Sequence, residues 1–245
     1  FPNNAKYFEL DGEKDNIAPF EFIPWVLSQC KTVAEAKRLC SKLNLVNTHF
    51  NGQLPNSPLH WIIADKKESI TIESTKDGLK VYANPVGILT NNPPFDKQLF
   101  NLNNYKHLSS KDSTNTFSST LDLESYSLGM GSIGLPGDVS SAGRFVRISF
   151  FKENSVIEEA ESKEQFFHLL QSVYQPKGGT YVAHSGKYEY TIYTSCVDME
   201  NGIYYYKTYN NSDLNGVNMH LEDLDSKVLK QFDLITKQKV NIQNN

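Results

Sequence analysis

The sequence has few cysteines, no long apolar run and no excess of positive charge. Its three cysteines among 245 residues, Cys30, Cys40 and Cys196, form no C-x-x-C pair, which argues against a disulfide framework or a zinc knuckle and favours a reducing compartment. No apolar segment approaches the roughly 18 residues that a membrane-spanning helix needs. With 24 basic and 28 acidic residues the net charge is −4, so nothing favours binding to nucleic acid or to an anionic membrane.

Helical periodicity appears in several separate segments. The clearest helix is predicted over 33–43, where Thr32-x-x-Glu35 forms a capping box before an apolar face. Further helices are predicted over 18–29 with a kink or late start at Pro24, and over 96–107, 144–152 and 163–174. The segment 109–127 is rich in Ser, Thr and Asn and predicts a long surface loop.

Two groups of strands alternate with these helices, in the order helices, strands, helices, strands. The first is an antiparallel meander over 60–64, 69–73 and 79–83, in which Ile70 and Ile72 alternate with polar residues. A short strand over 87–91 is predicted to end at Asn91, before two prolines. The second group covers 188–197, 203–209, 216–219 and 231–235, with Asn201-Gly202 as a hairpin turn. Runs of strands separated by helices, without strict βαβ alternation, favour an α+β fold of one large domain.

Several familiar motifs are present only as weak matches. Gly129-x-Gly131-x-x-Gly134 matches the dinucleotide-binding string, but a polar loop precedes it and Leu135-Pro136 follows it, so a tight loop is the favoured interpretation. The six histidines form no H-E-x-x-H pattern, and no metal site is predicted. His60, beside Trp61 on a predicted strand, is interpreted as a hydrogen-bonded residue of the core or a cleft.

Two polar residues are candidates for chemistry. Asn91 has a short amide that could donate a hydrogen bond to an oxyanion, although spacing alone favours a turn-forming asparagine. Arg144 begins an apolar helix, where a partly buried guanidinium needs a carboxylate or carbonyl partner. Spacing alone favours an ordinary structural ion pair for this arginine.

Taken together and in order, five segments resemble the choloylglycine hydrolase family, which comprises bile salt hydrolases and penicillin V acylases. These segments are Leu59-His60-Trp61-Ile62-Ile63-Ala64-Asp65, Gly87-Ile-Leu-Thr-Asn91-Asn92-Pro93, Gly134-Leu-Pro-Gly137-Asp138 with Arg144-Phe145-Val146-Arg147, Tyr193-Thr194-Ser195-Cys196 and Gly202-Ile-Tyr-Tyr-Tyr206. The resemblance extends from Phe1 almost to the C-terminus.

The resemblance implies an N-terminal-nucleophile hydrolase with a four-layer αββα sandwich, in which residues 1–245 form a single domain. It implies cleavage of an amide C–N bond by a cysteine at the mature N-terminus, whose free α-amine activates the thiol. No metal or organic cofactor is implied, because the thiol and the amine supply the chemistry. The family's cysteine lies before the position matched by Phe1, so this chain is expected to be about the C-terminal three quarters of such an enzyme. Cys30, Cys40 and Cys196 cannot replace that cysteine, because each is internal.

The resemblance also assigns roles to individual residues. Asn91 matches the family's oxyanion-side asparagine in the T-N-x-P motif, and Arg144 matches its active-site arginine in the R-F-x-R motif. The resemblance further implies that the loop ending at Leu59, just before the first predicted strand, contributes to the apolar substrate pocket. Four residues of this loop are expected to line the pocket: Phe50, Leu54, Ser57 and Leu59.

The resemblance implies that the substrate is a bile acid conjugated to glycine or taurine. It also implies a bacterial cytoplasmic homotetramer, and binding to nucleic acid or membrane is not expected. Penicillin V acylase activity and a non-catalytic, bile-acid-binding fragment remain the alternatives.

Overall fold

The computed structural model describes residues 1–244, which form two compact units, 1–154 and 155–244. The first unit contains β1 Asp15–Ile17, α1 Phe22–Leu27, α2 Val33–Cys40, β2 Leu43–Leu45, β3 Trp61–Ala64, β4 Ser69–Thr75, β5 Gly78–Ala83, α3 Phe95–Asn101 and α4 Ser141–Glu153. The second unit contains α5 Ser162–Gln171, β6 Thr180–Val182, β7 Lys187–Glu189, β8 Tyr193–Asp198, β9 Ile203–Thr208 and β10 Asn211–Asn218. The prediction that residues 1–245 form one domain stays a prediction.

The main sheet of the first unit is the predicted antiparallel meander, with strand order β3-β4-β5. One face of the central strand β4 presents Ile70 and Ile72, which are fully buried against apolar residues of α1 and α2. The alternation of side chains along a strand explains why these two isoleucines share one face. This face forms the larger core of the unit.

The other face of β4 is polar, yet it is buried as well. Thr71 and Glu73 have no exposed surface. The Asn84 amide donates to the Thr71 hydroxyl at 3.0 Å, and the backbone N–H of Phe95 donates to Glu73. Phe95 is the first residue of α3 and packs in a second apolar cluster with Val86 and Phe145. The strand therefore lies between two packed layers, and its polar side chains are paired inside the protein.

The capping box predicted for α2 is confirmed. The Thr32 hydroxyl accepts the backbone N–H of Glu35 at 3.2 Å, and the Glu35 carboxylate accepts the backbone N–H of Thr32 at 3.2 Å. The helix ends at Cys40, however, because Leu43 leaves it to pair in parallel with Asp15 in the short β1–β2 sheet. The predicted end at residue 43 was therefore wrong.

The strand predicted over 87–91 does not form. The chain turns at Gly87, which has a φ of +63° and whose N–H is accepted by the side chain of Asn84 at 2.8 Å. The prolines that follow, Pro93 and Pro94, lack the N–H that a sheet ladder requires. Asn91 thus lies in a turn and not at the end of a strand.

The glycine motif at 129–134 forms a short 3₁₀ turn over Met130–Ser132. Its flanking residues, Gly129 and Gly134, have φ values of +84° and +96°. The next helix, α4, begins only at Ser141. A helix N-terminus for a pyrophosphate is therefore lacking at this motif, which agrees with its interpretation as a tight loop.

The second unit is built on the sheet β10-β9-β8, against which α5 packs through β8. The predicted hairpin is present, and Gly202 in its loop has a φ of +61°. The strand predicted over 188–197 divides into β7 and β8. The segment 231–235 is not a strand, although the Ile235 N–H donates to the Tyr206 hydroxyl at 3.0 Å.

Candidate active site

The structure brings Asn91 and Arg144 into direct contact. The Arg144 Nη2 donates to Asn91 Oδ1 at 2.7 Å, and the Arg144 Nε donates to the Val139 carbonyl at 3.2 Å. A guanidinium has donors only, so the amide atom that faces it must be the oxygen. This contact fixes the orientation of the exposed Asn91 side chain, and its Nδ2 faces away as an available donor.

A small hydroxyl network joins the Asn91 turn to the beginning of α4. The Thr90 hydroxyl donates to the Ser141 carbonyl at 3.0 Å and accepts from the Ser141 hydroxyl at 3.0 Å. The Gln98 side chain on α3 also donates to the Thr90 hydroxyl, at 2.9 Å. Thr90 immediately precedes Asn91, and Ser141 lies one helical turn before Arg144. The network therefore fixes the positions of the two candidate residues relative to each other.

The beginning of α4 is regular and well capped. It starts at Ser141, three residues earlier than predicted, and the Ser140 hydroxyl accepts the N–H of Gly143 at 3.0 Å. A Cβ at Gly143 would lie 2.5 Å from the Asp138 carboxylate, so a larger residue here would require that carboxylate to move. Hydrogen bonds from the Ser140 side chain and backbone lower the pKa of Asp138.

The first residues of the chain lie beside the Asn91 turn. The Asn92 side chain donates to the Pro2 carbonyl at 3.0 Å and accepts from the Asn4 side chain at 3.0 Å. The Phe1 nitrogen donates to the Pro58 carbonyl at 2.9 Å. Residues 1–4 therefore connect the turn that carries Asn91 to the loop that carries the predicted pocket residues.

The four predicted pocket residues lie on the loop before β3. Phe50 and Leu54 are 66% and 56% exposed at the tip of the loop, with the Phe50 ring edge-on to Phe20. Ser57 and Leu59 lie closer to β3 along the chain, and Tyr7 binds their backbone. The Tyr7 hydroxyl donates to the Ser57 carbonyl at 2.6 Å and accepts the Leu59 N–H at 2.9 Å. Burial raises the pKa of Tyr7, so its hydroxyl keeps the proton that the first bond needs.

One buried pair was not predicted as a site. His60 Nδ1 lies 3.1 Å from Glu73 Oε1, and the two side chains are 10% and 0% exposed. This pairing confirms the interpretation of His60 as a hydrogen-bonded residue. Glu73 was missed because strand alternation shows only that it faces away from the isoleucines, not what covers that face.

The environments of the three cysteines disfavour ionisation of their thiols. Desolvation raises the pKa of Cys40 to about 11 and also raises the pKa of Cys30 and Cys196. Cys40 lies at the end of α2 and Cys196 on β8, whereas Cys30 follows α1 rather than lying on a helix. A nucleophilic cysteine requires the opposite shift, so these environments agree with the exclusion of all three as nucleophiles.

Alkylation with iodoacetamide at pH 8 is expected to spare Cys40 in the folded protein. A pKa of about 11 leaves about a thousandth of this thiol ionised, so labelling should be about a hundredfold slower than in the unfolded chain. Peptide mass spectrometry of samples labelled with and without guanidinium measures this ratio. Equal labelling rates in the two samples would contradict the buried environment of Cys40.

Among residues 1–244, no group of three or more His, Cys, Asp and Glu side chains is arranged to hold a metal ion. In the same part of the chain, none of the helices has the length and apolar character needed to cross a membrane.

Comparison with known proteins reveals close relatives. The family model of linear amide C–N hydrolases of the choloylglycine hydrolase family matches residues 1–232. A bile salt hydrolase/transferase of Lactiplantibacillus plantarum is 57% identical over 236 residues, covering 96% of this chain and 72% of that protein. A bile salt hydrolase/transferase of Clostridium perfringens is 36% identical over 95% of this chain and 71% of its own length.

Solved structures agree with the sequence comparisons. A variant of the conjugated bile acid hydrolase from Clostridium perfringens superposes with a TM-score of 0.90 at 35% identity, covering 100% of this chain and 75% of that one. The penicillin V acylase of Agrobacterium tumefaciens superposes with a TM-score of 0.67 at 19% identity, over 89% of this chain and 61% of the acylase. These likenesses confirm the predicted α+β class and the N-terminal-nucleophile hydrolase fold.

Proposed function

Because this chain belongs to the choloylglycine hydrolase family of linear amide C–N hydrolases, we propose that it acts as a bile salt hydrolase on bile acids conjugated to glycine or taurine. The substrate is proposed on the basis of the 57% identity to the Lactiplantibacillus plantarum bile salt hydrolase/transferase. The likeness to penicillin V acylase, at 19% identity, supports the fold alone. A bile salt is therefore the favoured substrate over penicillin V.

In the proposed reaction, a cysteine thiolate attacks the carbonyl carbon of the amide and forms a tetrahedral oxyanion. The family resemblance places this cysteine at a mature N-terminus, where its α-amine accepts the thiol proton and delivers a proton to the leaving nitrogen. The C–N bond then breaks, and glycine or taurine leaves. Water finally attacks the thioester, releasing the bile acid and restoring the thiol.

Asn91 is proposed to donate its Nδ2–H to the oxyanion, and Arg144 is proposed to hold that amide in place. The observation that carries this assignment is the 2.7 Å bond between the Arg144 guanidinium and Asn91 Oδ1. It leaves the donor end of the exposed amide free before the substrate arrives. A preoriented donor stabilises charge as it develops and needs no reorganisation during the reaction.

The test uses this chain joined at Phe1 to a family N-terminal segment that begins with cysteine, hereafter the Cys-extended protein. We expect release of glycine and taurine from conjugated bile salts, measured by an amino-acid assay with penicillin V as the competing substrate. The matched control replaces the first cysteine of the added segment with alanine and should abolish release. A folded Cys-extended protein that releases neither amino acid would refute the proposed activity.

Two other results would favour the alternatives. Faster hydrolysis of penicillin V than of any bile salt would favour the acylase. Calorimetric binding of a bile salt by both the chain and the Cys-extended protein, with no turnover by either, would favour a bile-acid-binding fragment.

Replacing Tyr7 with phenylalanine is expected to weaken substrate binding. The change removes both hydrogen bonds that hold Ser57 and Leu59, each worth about 1 kcal/mol. We expect KM for a conjugated bile salt to rise about threefold to tenfold with kcat nearly unchanged, because the loop is proposed to bind the steroid and not the reacting amide. Tyr188→Phe, on β7 of the second unit, is the matched control. A large fall in kcat with unchanged KM would contradict this role for the loop.

The proposal includes a bacterial, cytoplasmic homotetramer. The bacterial bile salt hydrolases among the relatives support a bacterial source. Sedimentation of the Cys-extended protein tests the tetramer, and a monomer at micromolar concentration would contradict it.

A further inference from the structure

We propose that Glu73 is a positioning residue for the reaction, because its buried carboxylate anchors the turn that carries Asn91. The inference rests on the proposed function, since it concerns the residue assigned to the oxyanion. Glu73 lies on the central strand β4 and has no exposed surface.

Glu73 is connected to the Asn91 turn through the backbone N–H of Phe95. The backbone N–H of Phe95 donates to both oxygens of Glu73, at 3.1 and 3.2 Å. Between Asn92 and Phe95 stand Pro93 and Pro94, which have no N–H. Phe95 therefore supplies the first backbone donor after Asn92, and Glu73 is the group that binds it.

The segment between Asn92 and Phe95 is stiff. The proline rings fix φ at both intervening positions, so the segment has few ways to absorb a movement of Phe95. The Thr90 network holds the other side of the same turn through Gln98 and Ser141. Asn91 is thus held from both sides, and loss of the Glu73 anchor would allow its amide to shift against Arg144.

The Glu73 carboxylate has a second partner, the His60 ring. His60 Nδ1 lies 3.1 Å from Glu73 Oε1, and the His60 ring stacks on the Phe1 ring with centroids 4.5 Å apart and planes 10° apart. Phe1 in turn bonds to Pro58, at the end of the predicted pocket loop. One buried carboxylate therefore joins the oxyanion turn, the first residues of the chain and the pocket loop.

The test compares three variants of the Cys-extended protein. Glu73→Leu removes both acceptors. Glu73→Gln keeps an oxygen for the Phe95 N–H and can bond His60 in its other tautomer. Asn44→Ala is the matched control, since Asn44 is a buried polar residue of β2 whose amide bonds Glu9 and Asn16 at 2.8 Å each.

For Glu73→Leu we expect kcat to fall about a hundredfold with KM within about threefold, because a displacement near 1 Å costs this much at a reacting centre. Glu73→Gln should stay within about tenfold of the parent, and Asn44→Ala should match the parent. Hydrogen–deuterium exchange of residues 90–101, measured on the same proteins, should rise in Glu73→Leu only.

These two measurements separate the possible failures. Unchanged exchange in Glu73→Leu would overturn the anchoring of the turn, whether or not the protein is active. Faster exchange with an unchanged kcat, or an equal fall in kcat for Asn44→Ala, would overturn the positioning role. A folded parent without turnover would refute the proposed function instead, and the exchange data would then decide the anchoring by themselves.

Discussion

Replacing Asn91 with alanine is expected to lower kcat of the Cys-extended protein by about 10² to 10³, with little change in KM. Loss of one oxyanion donor has this effect in other acyl-transfer enzymes, because the missing bond exists only in the transition state. Steady-state kinetics on a glycine-conjugated bile salt, supported by a thermal melt to show that the variant folds, measures both constants.

The Asn91→Asp variant tests more directly whether the Asn91 amide donates a hydrogen bond to the oxyanion. The carboxylate keeps the size of the side chain and its contact with Arg144, but it has no N–H and repels a developing negative charge. Its kcat should be no higher than that of the alanine variant. Asn103→Ala is the control, because Asn103 is an exposed asparagine whose amide bonds only locally, to the Phe100 carbonyl at 2.7 Å. A value of kcat near that of the parent in Asn91→Asp would exclude donation by this amide.

Replacing Arg144 with methionine is expected to lower kcat by about 10². The guanidinium donates to Asn91 Oδ1 at 2.7 Å and to the Val139 carbonyl at 3.2 Å, so its loss releases the amide from its fixed orientation. Arg144→Lys keeps the charge but cannot reproduce two directed bonds, and its kcat should lie between those of the methionine variant and the parent.

The double variant of Asn91→Ala with Arg144→Met tests whether the arginine acts through the asparagine. Groups that act as a unit show strongly non-additive losses. The double variant should therefore be about as slow as Asn91→Ala alone. Losses that multiply would show that Arg144 acts on the substrate independently of Asn91, and the positioning role would be wrong.

Much of the fold was predictable because local patterns determine local structure. The alternation of Ile70 and Ile72 predicted the central strand, and the Thr32-x-x-Glu35 box predicted the beginning of α2. The predicted ends of helices and strands were wrong where a tertiary contact competed with a local preference. Leu43 has helical spacing, but pairing with Asp15 places it in a strand.

The candidate site was predictable only through motifs. The T-N-x-P and R-F-x-R patterns pointed to Asn91 and Arg144, while spacing by itself favoured a turn and a structural ion pair. The strand predicted before Asn91 was wrong, because a run of apolar residues does not reveal the positive φ at Gly87.

Residue patterns and motifs were enough to predict the α+β class, the order of the main elements, the family and two candidate residues. The fold was needed to show that Asn91 and Arg144, 53 positions apart, meet in a hydrogen bond, and that this bond points the amide nitrogen away from the guanidinium. It also decided that Glu73 is buried beneath the same turn. Periodicity along the chain tells which side chains share a face, whereas the layer that covers that face comes from distant parts of the chain.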